Sequence, residues 1–199
     1  MDGRYRAMFS YKSKNYALLD YDDNMIMKGS ALRSRGMERY LRGFLSSMIR
    51  LLLEGRGEEV HQLLDDYLER LENHRIEISS LAKTETLAES PESYRQKVMA
   101  GKRNPSATYE LALLSDREYR AGDQISYYVT GDNKRVRVYD NSKFVSNYDP
   151  SNPDENIAYY KAKLLALFKK FSQGDKGSKA TRVNRLATSE ELNEVKRYI

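Results

Sequence analysis

The stretch YRAMFSYKSKNYALLDYDDNMIM, residues 5–27, decides the fold of the N-terminal part of this chain. Polar and apolar side chains alternate in Tyr5–Tyr11, and two further apolar runs follow at Asn15–Asp20 and Met25–Met27. A period of two is typical of β-strands, and the Asp and Asn residues of Tyr21–Asn24 accept turn geometry. The stretch therefore predicts an antiparallel β-hairpin, with the acids at its tip shaping a turn rather than binding a metal.

Beyond residue 36 the apolar residues recur with the period of an α-helix. Apolar positions between Met37 and Leu52 follow the i, i+3, i+4, i+7 pattern, which predicts an amphipathic helix that ends at Gly55 and Gly57. The same pattern returns from Val60 to Leu71. Two antiparallel helices joined by a short turn are therefore expected.

The rest of the chain predicts shorter elements. Arg75–Ser79 reads as an extended stretch, and Ser90-Pro91 begins a short basic helix that Gly101 ends. A further helix is predicted around Thr108–Ser115. A hairpin follows, with strands Gln124–Thr130 and Arg135–Tyr139 joined by a turn at Gly131–Asn133. The last predicted helix is capped by Asn152-Pro153-Asp154 and runs to Phe171.

Together these elements predict an α+β chain with an N-terminal antiparallel β-hairpin, a mostly helical remainder and a second, small β-hairpin. The change of period near residue 36 and the loss of apolar pattern after residue 173 divide the chain into three parts. We expect a hairpin region over residues 1–35, a mostly helical domain over 36–173 and a mobile basic tail over 174–199, with one short helix after Ser189.

Composition excludes several classes of protein. The 199 residues include no cysteine and only two histidines, so Cys-based metal sites, thiol nucleophiles and zincin helices are excluded. No apolar run reaches eighteen residues and the N-terminus lacks an apolar signal region, which favours a cytoplasmic protein without membrane partners. Gly-rich phosphate loops, GxSxG elbows and paired metal-binding carboxylates are also missing from the sequence, so it predicts neither catalytic nor metal-binding residues.

The basic residues are grouped along the sequence. The formal net charge is only +5, but Lys28–Arg50 holds six basic residues against one acid, and Tyr94–Arg103 holds four against none. Such blocks fit either solvated helix faces or a surface for a polyanion. Lys12, Lys14 and Tyr16 alternate in sequence and are expected to leave one face of a strand, where they suit a phosphate backbone.

These residues also carry a resemblance to family B DNA polymerases. Ser13-Lys14-Asn15-Tyr16 resembles that family's KKxY-type motif with Ser at its first lysine, and Met27-Lys-Gly-Ser-Ala-Leu-Arg-Ser-Arg35 is similar to its KGxxLxRR stretch. In the second motif Gly29 and Arg35 fit, whereas Ser34 and Gly36 depart from the family's Arg and Asp. Ala121-Gly-Asp-Gln-Ile-Ser-Tyr-Tyr-Val129 is similar to the family's PGDxIxYxI, and the resemblance covers residues 2–171.

The resemblance implies that residues 1–35 are the end of a polymerase palm domain and that 36–173 are its thumb. The thumb of this family wraps the double-stranded primer–template DNA, and the KxY residues, here Lys14 and Tyr16, contact that duplex near the primer end. The family's metal-binding aspartates precede this segment, so Mg²⁺ is implied for the complete polymerase and no cofactor for this chain. The chain would be an excised domain or the small part of a split polymerase, with the catalytic palm and fingers as its partner.

The basic blocks add further candidates for DNA binding. Besides Lys12, Lys14 and Tyr16 of the hairpin, the candidates are Arg33, Arg35, Arg95, Lys97, Lys102 and Arg103. The alternative that the sequence leaves open is a stand-alone basic α+β module that binds another protein and has no polymerase role.

Overall fold

The computed structural model describes residues 4–172 and 181–185 and divides the chain into two compact units. The first unit comprises residues 1–37, 41–69 and 164–199, and the second comprises 38–40 and 70–163. Three helices have residues in both units: α1 (Arg39–Leu53), α2 (Val60–Glu72) and α6 (Ile157–Ser172). The predicted boundaries at 35/36 and 173/174 stay predictions.

A four-stranded antiparallel sheet forms the core of the first unit. Its strands are β1 (Tyr5–Tyr11), β2 (Tyr16–Asp20), β3 (Met25–Lys28) and β7 (Thr181–Arg185), in the order β3-β2-β1-β7. Side chains of β1 alternate between the two faces of the sheet: Ala7, Phe9 and Tyr11 are buried, whereas Met8 is exposed. The predicted N-terminal hairpin is therefore confirmed.

The predicted helical pair is also confirmed, as α1 (Arg39–Leu53) and α2 (Val60–Glu72). Gly55 adopts a φ of +76° between them, a left-handed conformation that favours glycine, and the amide of Arg56 donates to the carbonyl of Leu51. In the first unit, Phe44 of α1 is fully buried and its ring lies 5.3 Å from that of Tyr67 in α2. The ring centre of Tyr11 in β1 lies 4.6 Å from that of Phe171 in α6 (Ile157–Ser172).

The second unit combines a three-stranded antiparallel sheet with short helices. Its strand order is β4 (Lys83–Thr86), β5 (Gln124–Val129), β6 (Ser142–Phe144), and its helices include α3 (Ile78–Leu81), α4 (Pro91–Met99) and α5 (Ala107–Leu114). The Ser90 side chain caps α4 by accepting from the amide of Ser93, as the Ser-Pro pair predicts. The α4–α5 pair and the sheet share a core that includes Leu87, Tyr94, Tyr109 and Ile125.

Two predictions in this unit are wrong, the extended stretch over residues 75–79 and the strand over Arg135–Tyr139. Residues 75–79 do not form a strand, because the chain turns into α3 and the amide of Ala82 donates to the carbonyl of Ile78. The partner of β5 is β6 rather than Arg135–Tyr139. The amide of Thr130 donates to the carbonyl of Asn141, so residues 131–140 form a loop that ends in a 3-10 turn, Val138–Asp140.

The N-cap predicted for the last helix is displaced by a few residues. Asn156 caps α6 through its Oδ1, which accepts from the amide of Tyr159 at 2.9 Å, whereas Asn152 is exposed. The C-terminal prediction also differs in part, because β7 pairs with β1 where a basic tail was expected. The other residues of 174–199, including the short helix predicted after Ser189, lie outside the described residues. No helix within the described ranges has both the length and the apolar character needed to cross a membrane.

Candidate nucleic-acid interface

The lysines of the KxY motif lie in a turn between β1 and β2 rather than on a strand. Residues 12–15, hereafter the lysine turn, connect Tyr11 to Tyr16, and the amide of Tyr11 donates to the carbonyl of Asn15 at 2.9 Å. Lys12 and Lys14 have φ values of +52° and +65°. The prediction that Lys12, Lys14 and Tyr16 leave one face of a single strand is therefore wrong, because left-handed backbone interrupts the alternation.

This turn presents two ammonium groups at the end of the hairpin. Lys12 and Lys14 are exposed, and within the described ranges neither has a carboxylate partner. Lys12 Nζ lies 5.5 Å from the ring centre of Tyr11, a cation–π contact. Tyr16 is half-buried at the start of β2, opposite Lys28 of β3. Non-glycine residues with left-handed φ are uncommon, and they recur at ligand-binding sites where the surrounding structure holds them.

A single asparagine side chain ties the lysine turn to the segment that follows β3. Asn15 Nδ2 donates to the carbonyl of Ser13 at 3.0 Å, and Asn15 Oδ1 accepts from the amide of Ala31 at 2.9 Å. Gly29 packs directly on this turn, with a φ of +100°, and a Cβ there would lie 2.7 Å from Asn15 Cα and still closer to the carbonyl oxygen of Lys14. The KxY motif and the KGxxLxRR-like segment therefore form one unit of structure.

Arg33 and Arg35 lie on that second segment, between β3 and α1. Both are exposed, and neither side chain has a hydrogen bond or carboxylate partner among residues 4–172. The first turn of the segment is closed by the amides of Leu32 and Arg33, which donate to the carbonyl of Gly29, and Leu32 is buried beneath it. The predicted candidates of the first unit thus lie on two adjoining pieces of backbone.

The candidates of the second unit fall into two groups. Arg95 and Lys102 are exposed and have no carboxylate partner in the described part of the chain. Lys97 and Arg103 both bind Glu89, with Lys97 Nζ 2.5 Å from Glu89 Oε2. Hydrogen bonds from Lys97, Ser93 and Arg103 lower the pKa of Glu89 to about 2.

Arg103 has a second role in holding the α4–α5 pair together. Its guanidinium carbon lies 4.5 Å from the ring centre of Tyr109 and 5.0 Å from that of Tyr94, and these two rings stack 4.4 Å apart. Burial raises the pKa of Tyr94 to about 12, and its hydroxyl donates to Glu110 at 2.5 Å. The positive charges of Lys97 and Arg103 are thus already used within the fold, unlike those of Arg95 and Lys102.

The acidic hairpin tip acts as a turn, as the sequence indicates. Asp20 accepts from the amides of Asp22 and Asn24 and from the Asn24 side chain, and these hydrogen bonds, chiefly that from the side chain, lower the pKa of Asp20. Asp23 pairs with Arg6. Residues 4–172 contain no group of three or more acids or histidines arranged to hold a metal ion. The described residues therefore do not fit the Mg²⁺ implied for the complete polymerase.

Sequence reasoning missed three residues that shape this site. Asn15 lies inside the KxY motif, but nothing in the motif indicates that its side chain binds the next segment. Gly29 was noted only as a motif match, and its close approach to the turn depends on tertiary structure. Arg42, on the polar face of α1, was counted only as part of a basic block.

Comparisons with known proteins agree with these motifs. The sequence profile of DNA polymerase family B matches residues 1–171. Among solved structures, the chain is similar to the family B DNA polymerase from the hyperthermophilic archaeon Pyrobaculum calidifontis, with a TM-score of 0.68 at 18% sequence identity. The alignment covers 87% of this chain and 22% of the archaeal polymerase. No curated protein matches the sequence.

The family profile spans most of the chain and includes the lysine turn, the Gly29–Arg35 segment and the α4–α5 pair. The structural match shows independently that the α+β fold, with its N-terminal antiparallel sheet and mostly helical remainder, is that of part of a family B polymerase. This chain therefore belongs to DNA polymerase family B.

Proposed function

We propose that this chain is the duplex-gripping part of a family B DNA polymerase, comprising the end of the palm and the thumb. In this proposal it binds double-stranded primer–template DNA through the phosphate backbone, without reading sequence. The chain spans about a fifth of the archaeal polymerase that it resembles. Nucleotidyl transfer and its Mg²⁺ would therefore come from the catalytic palm and fingers of the same polymerase, in one chain or in two.

The lysine turn is the observation that carries the proposal. It places two ammonium groups at an exposed position without carboxylate partners in the described ranges, and the Asn15 side chain fixes its conformation. Two cations on a fixed backbone suit a polyanion, because little backbone freedom is lost on binding. Arg33 and Arg35 extend the same surface, and Arg95 and Lys102 supply uncommitted cations on the second unit.

Within this proposal the candidate residues differ in whether they contact DNA directly. Lys12, Lys14, Arg33, Arg35, Arg95 and Lys102 are proposed as phosphate contacts, with Tyr16 bonding sugar or phosphate through its hydroxyl. Lys97 and Arg103 are proposed to act chiefly through Glu89, because a cation that already binds a carboxylate gains less from a phosphate.

Lys14→Ala tests the proposal directly. It removes one ammonium group but keeps a side chain at the left-handed position, so duplex affinity should fall equally for all sequences. The slope of log K against log salt should decrease by about 0.9 for the lost phosphate contact. Fluorescence anisotropy with two unrelated duplexes across a salt series measures both effects. Unchanged affinity and slope would remove the lysine turn from the interface.

Two companion variants separate binding from folding. Lys14→Gly relieves the left-handed strain while removing the same charge, so it should bind as weakly as Lys14→Ala and unfold within about 1 kcal/mol of the wild type. Tyr16→Phe keeps the ring and should lose about 0.5–1.5 kcal/mol of binding free energy through the missing hydroxyl. A Tyr16→Phe variant with wild-type affinity would show that Tyr16 serves only to pack the hairpin.

One observation favours the alternative of a protein-interaction module. Met99 and Leu114, at the ends of α4 and α5, are 79% and 82% exposed, which is unusual for large apolar side chains. A protein-binding surface around them would work without DNA. Duplex binding that is weak and insensitive to salt would favour this alternative over the gripping role.

A further inference from the structure

A cavity in the first unit gathers three arginines that belong to two different segments. It has a volume of about 680 Å³ and is lined by Gly29, Leu32, Arg33, Arg35, Arg42 and Ser46, among others. Arg33 and Arg35 come from the segment that follows β3, whereas Arg42 and Ser46 come from the first turns of α1. Tertiary structure therefore adds a third guanidinium to the two that the sequence motif contains.

The positive charge of this cavity is not neutralised within the described structure. None of its lining residues is an acid. In residues 4–172, the side chains of Arg33, Arg35 and Arg42 have neither a hydrogen bond nor an ion pair, in contrast to those of Arg6, Arg50 and Arg56 in the same unit, each of which binds a carboxylate. Three like charges around one cavity repel each other, and an anion seated between them relieves that repulsion.

The chemistry of the lining favours a phosphate group as that anion. Guanidinium groups bind phosphate oxygens through paired N–H donors, and Ser46 adds a hydroxyl donor. Buried Leu32 lines the cavity beside these donors, a surface that suits the apolar edge of a sugar. The volume exceeds what a phosphate alone needs, so a phosphate with its attached sugars fits better than a small free anion.

The cavity also adjoins the lysine turn. Gly29 lines the cavity and at the same time packs on the carbonyl of Lys14 and on Asn15 Cα. One polyanionic strand can therefore contact both sites, because a single residue separates the wall of the cavity from the backbone of the turn.

We propose that this arginine cavity seats one backbone phosphate of nucleic acid, and that Arg42 is a phosphate-binding residue that the sequence motifs do not contain. The proposal deepens the duplex-gripping function and rests on it, because it places a particular phosphate beside the lysine turn. Inorganic phosphate shares the same chemistry, and the two sources of phosphate are distinguished by the test.

The test compares Arg42→Gln with Arg4→Gln in the full chain. Arg4 is an exposed arginine of the same unit that does not line the cavity, so it controls for the loss of one charge. We expect Arg42→Gln to weaken duplex binding about tenfold and to reduce the salt slope by about 0.9, with Arg4→Gln close to the wild type. Arg35→Gln should behave as Arg42→Gln does, and thermal unfolding of each variant checks that it is folded.

A second arm uses inorganic phosphate against chloride at equal ionic strength. If phosphate raises the melting temperature of the wild type and of Arg4→Gln but not of Arg42→Gln, the cavity binds the phosphate group itself. If the wild type binds duplex and Arg42→Gln matches Arg4→Gln, the cavity proposal is overturned while the gripping function stands. If the wild type does not bind duplex, the gripping function and the nucleic-acid seat both fail, and the phosphate arm alone decides whether an anion site remains.

Discussion

At the residue scale, the close approach of Gly29 to the lysine turn joins two sequence motifs into one surface. The ten residues 17–26 separate the two motifs in the chain, and only a residue without a side chain allows their backbones to meet. The Asn15 side chain then links them, because its Oδ1 accepts from the amide of Ala31 while its Nδ2 donates to the carbonyl of Ser13 within the turn. The position of Lys14 therefore depends on two residues that carry no charge.

Gly29→Ala should disrupt this contact. The left-handed φ and the overlap of the new Cβ with Lys14 and Asn15 are expected to cost about 2–3 kcal/mol of unfolding free energy and to lower duplex affinity. Gly36→Ala is the matched control, because nothing lies within 4 Å of its added Cβ, and it should stay within about 1 kcal/mol of the wild type. Urea unfolding of both variants measures the difference, and equal stabilities would show that the turn adjusts without strain.

At the scale of single elements, the start of α6 depends on a fully buried asparagine. Asn156 accepts from the amide of Tyr159, and its Nδ2 donates to the carbonyls of Thr130 and Asn133. One side chain thus caps the helix and fixes the loop that follows β5. Because the loop carbonyls bind Asn156, Arg135–Tyr139 does not pair with β5 as its sequence predicts.

Asn156→Ala should therefore destabilise the chain by about 2–4 kcal/mol, since it removes an N-cap and leaves two part-buried carbonyls without donors. Asn156→Asp keeps the capping oxygen but loses the donors, so its unfolding free energy should lie between those of the alanine variant and the wild type. Asn152→Ala, at the exposed position that the sequence nominates as the cap, should change stability by less than about 0.5 kcal/mol. A larger effect at Asn152 than at Asn156 would contradict this account of the cap.

The ion pairs of Glu89 with Lys97 and Arg103 make the unfolding free energy of the chain depend on pH, and the direction of that dependence follows from the pKa of Glu89. The folded pKa of Glu89 is about 2, below the value of about 4.3 expected in an unfolded chain. Its ion pairs therefore stabilise the fold fully above about pH 4.5, and that contribution is lost as the pH falls toward 2. The difference in unfolding free energy between the wild type and Glu89→Gln should be constant from pH 5 to 7 and shrink below pH 4. Glu92→Gln is the matched control, because it removes an exposed acid of the same helix and leaves the ion pairs of Glu89 in place.

Local patterns predicted most elements, and non-local contacts explain the errors. The strands β1 to β3 and the helices α1, α2, α4 and α5 follow from periodicity, Gly ends and a Ser-Pro cap, all of which are local in sequence. Residues 75–79 and 135–139 carry apolar side chains that suit a strand, yet α3 and the Asn156 contacts determine their conformation. The lysine turn was placed on a strand because its two left-handed residues are lysines rather than glycines.

At the scale of the whole molecule, the lysines and arginines predicted to bind DNA differ in whether a carboxylate of the described structure already pairs with them. Of the eight lysines and arginines nominated from sequence, Lys97 and Arg103 are paired with Glu89. The six others have no carboxylate partner within the described residues: Lys12, Lys14, Arg33, Arg35, Arg95 and Lys102. A net charge of only +5 is compatible with polyanion binding, because the basic residues are grouped along the sequence, as in Lys28–Arg50 with six basic residues against one acid.

This distribution predicts the salt dependence of the intact chain. Each engaged phosphate contributes about 0.9 to the slope of log K against log salt, so three to six engaged cations should give a slope of magnitude about 3–5. Because the contacts are to phosphate, duplexes of unrelated sequence should have affinities that agree within about twofold at each salt concentration. Fluorescence anisotropy with AT-rich and GC-rich primer–template duplexes, from low to physiological salt, measures both quantities. A strong preference for one sequence would contradict this prediction, because it would require contacts to base edges rather than to phosphates. A slope near zero would mean that these six cations do not bind DNA.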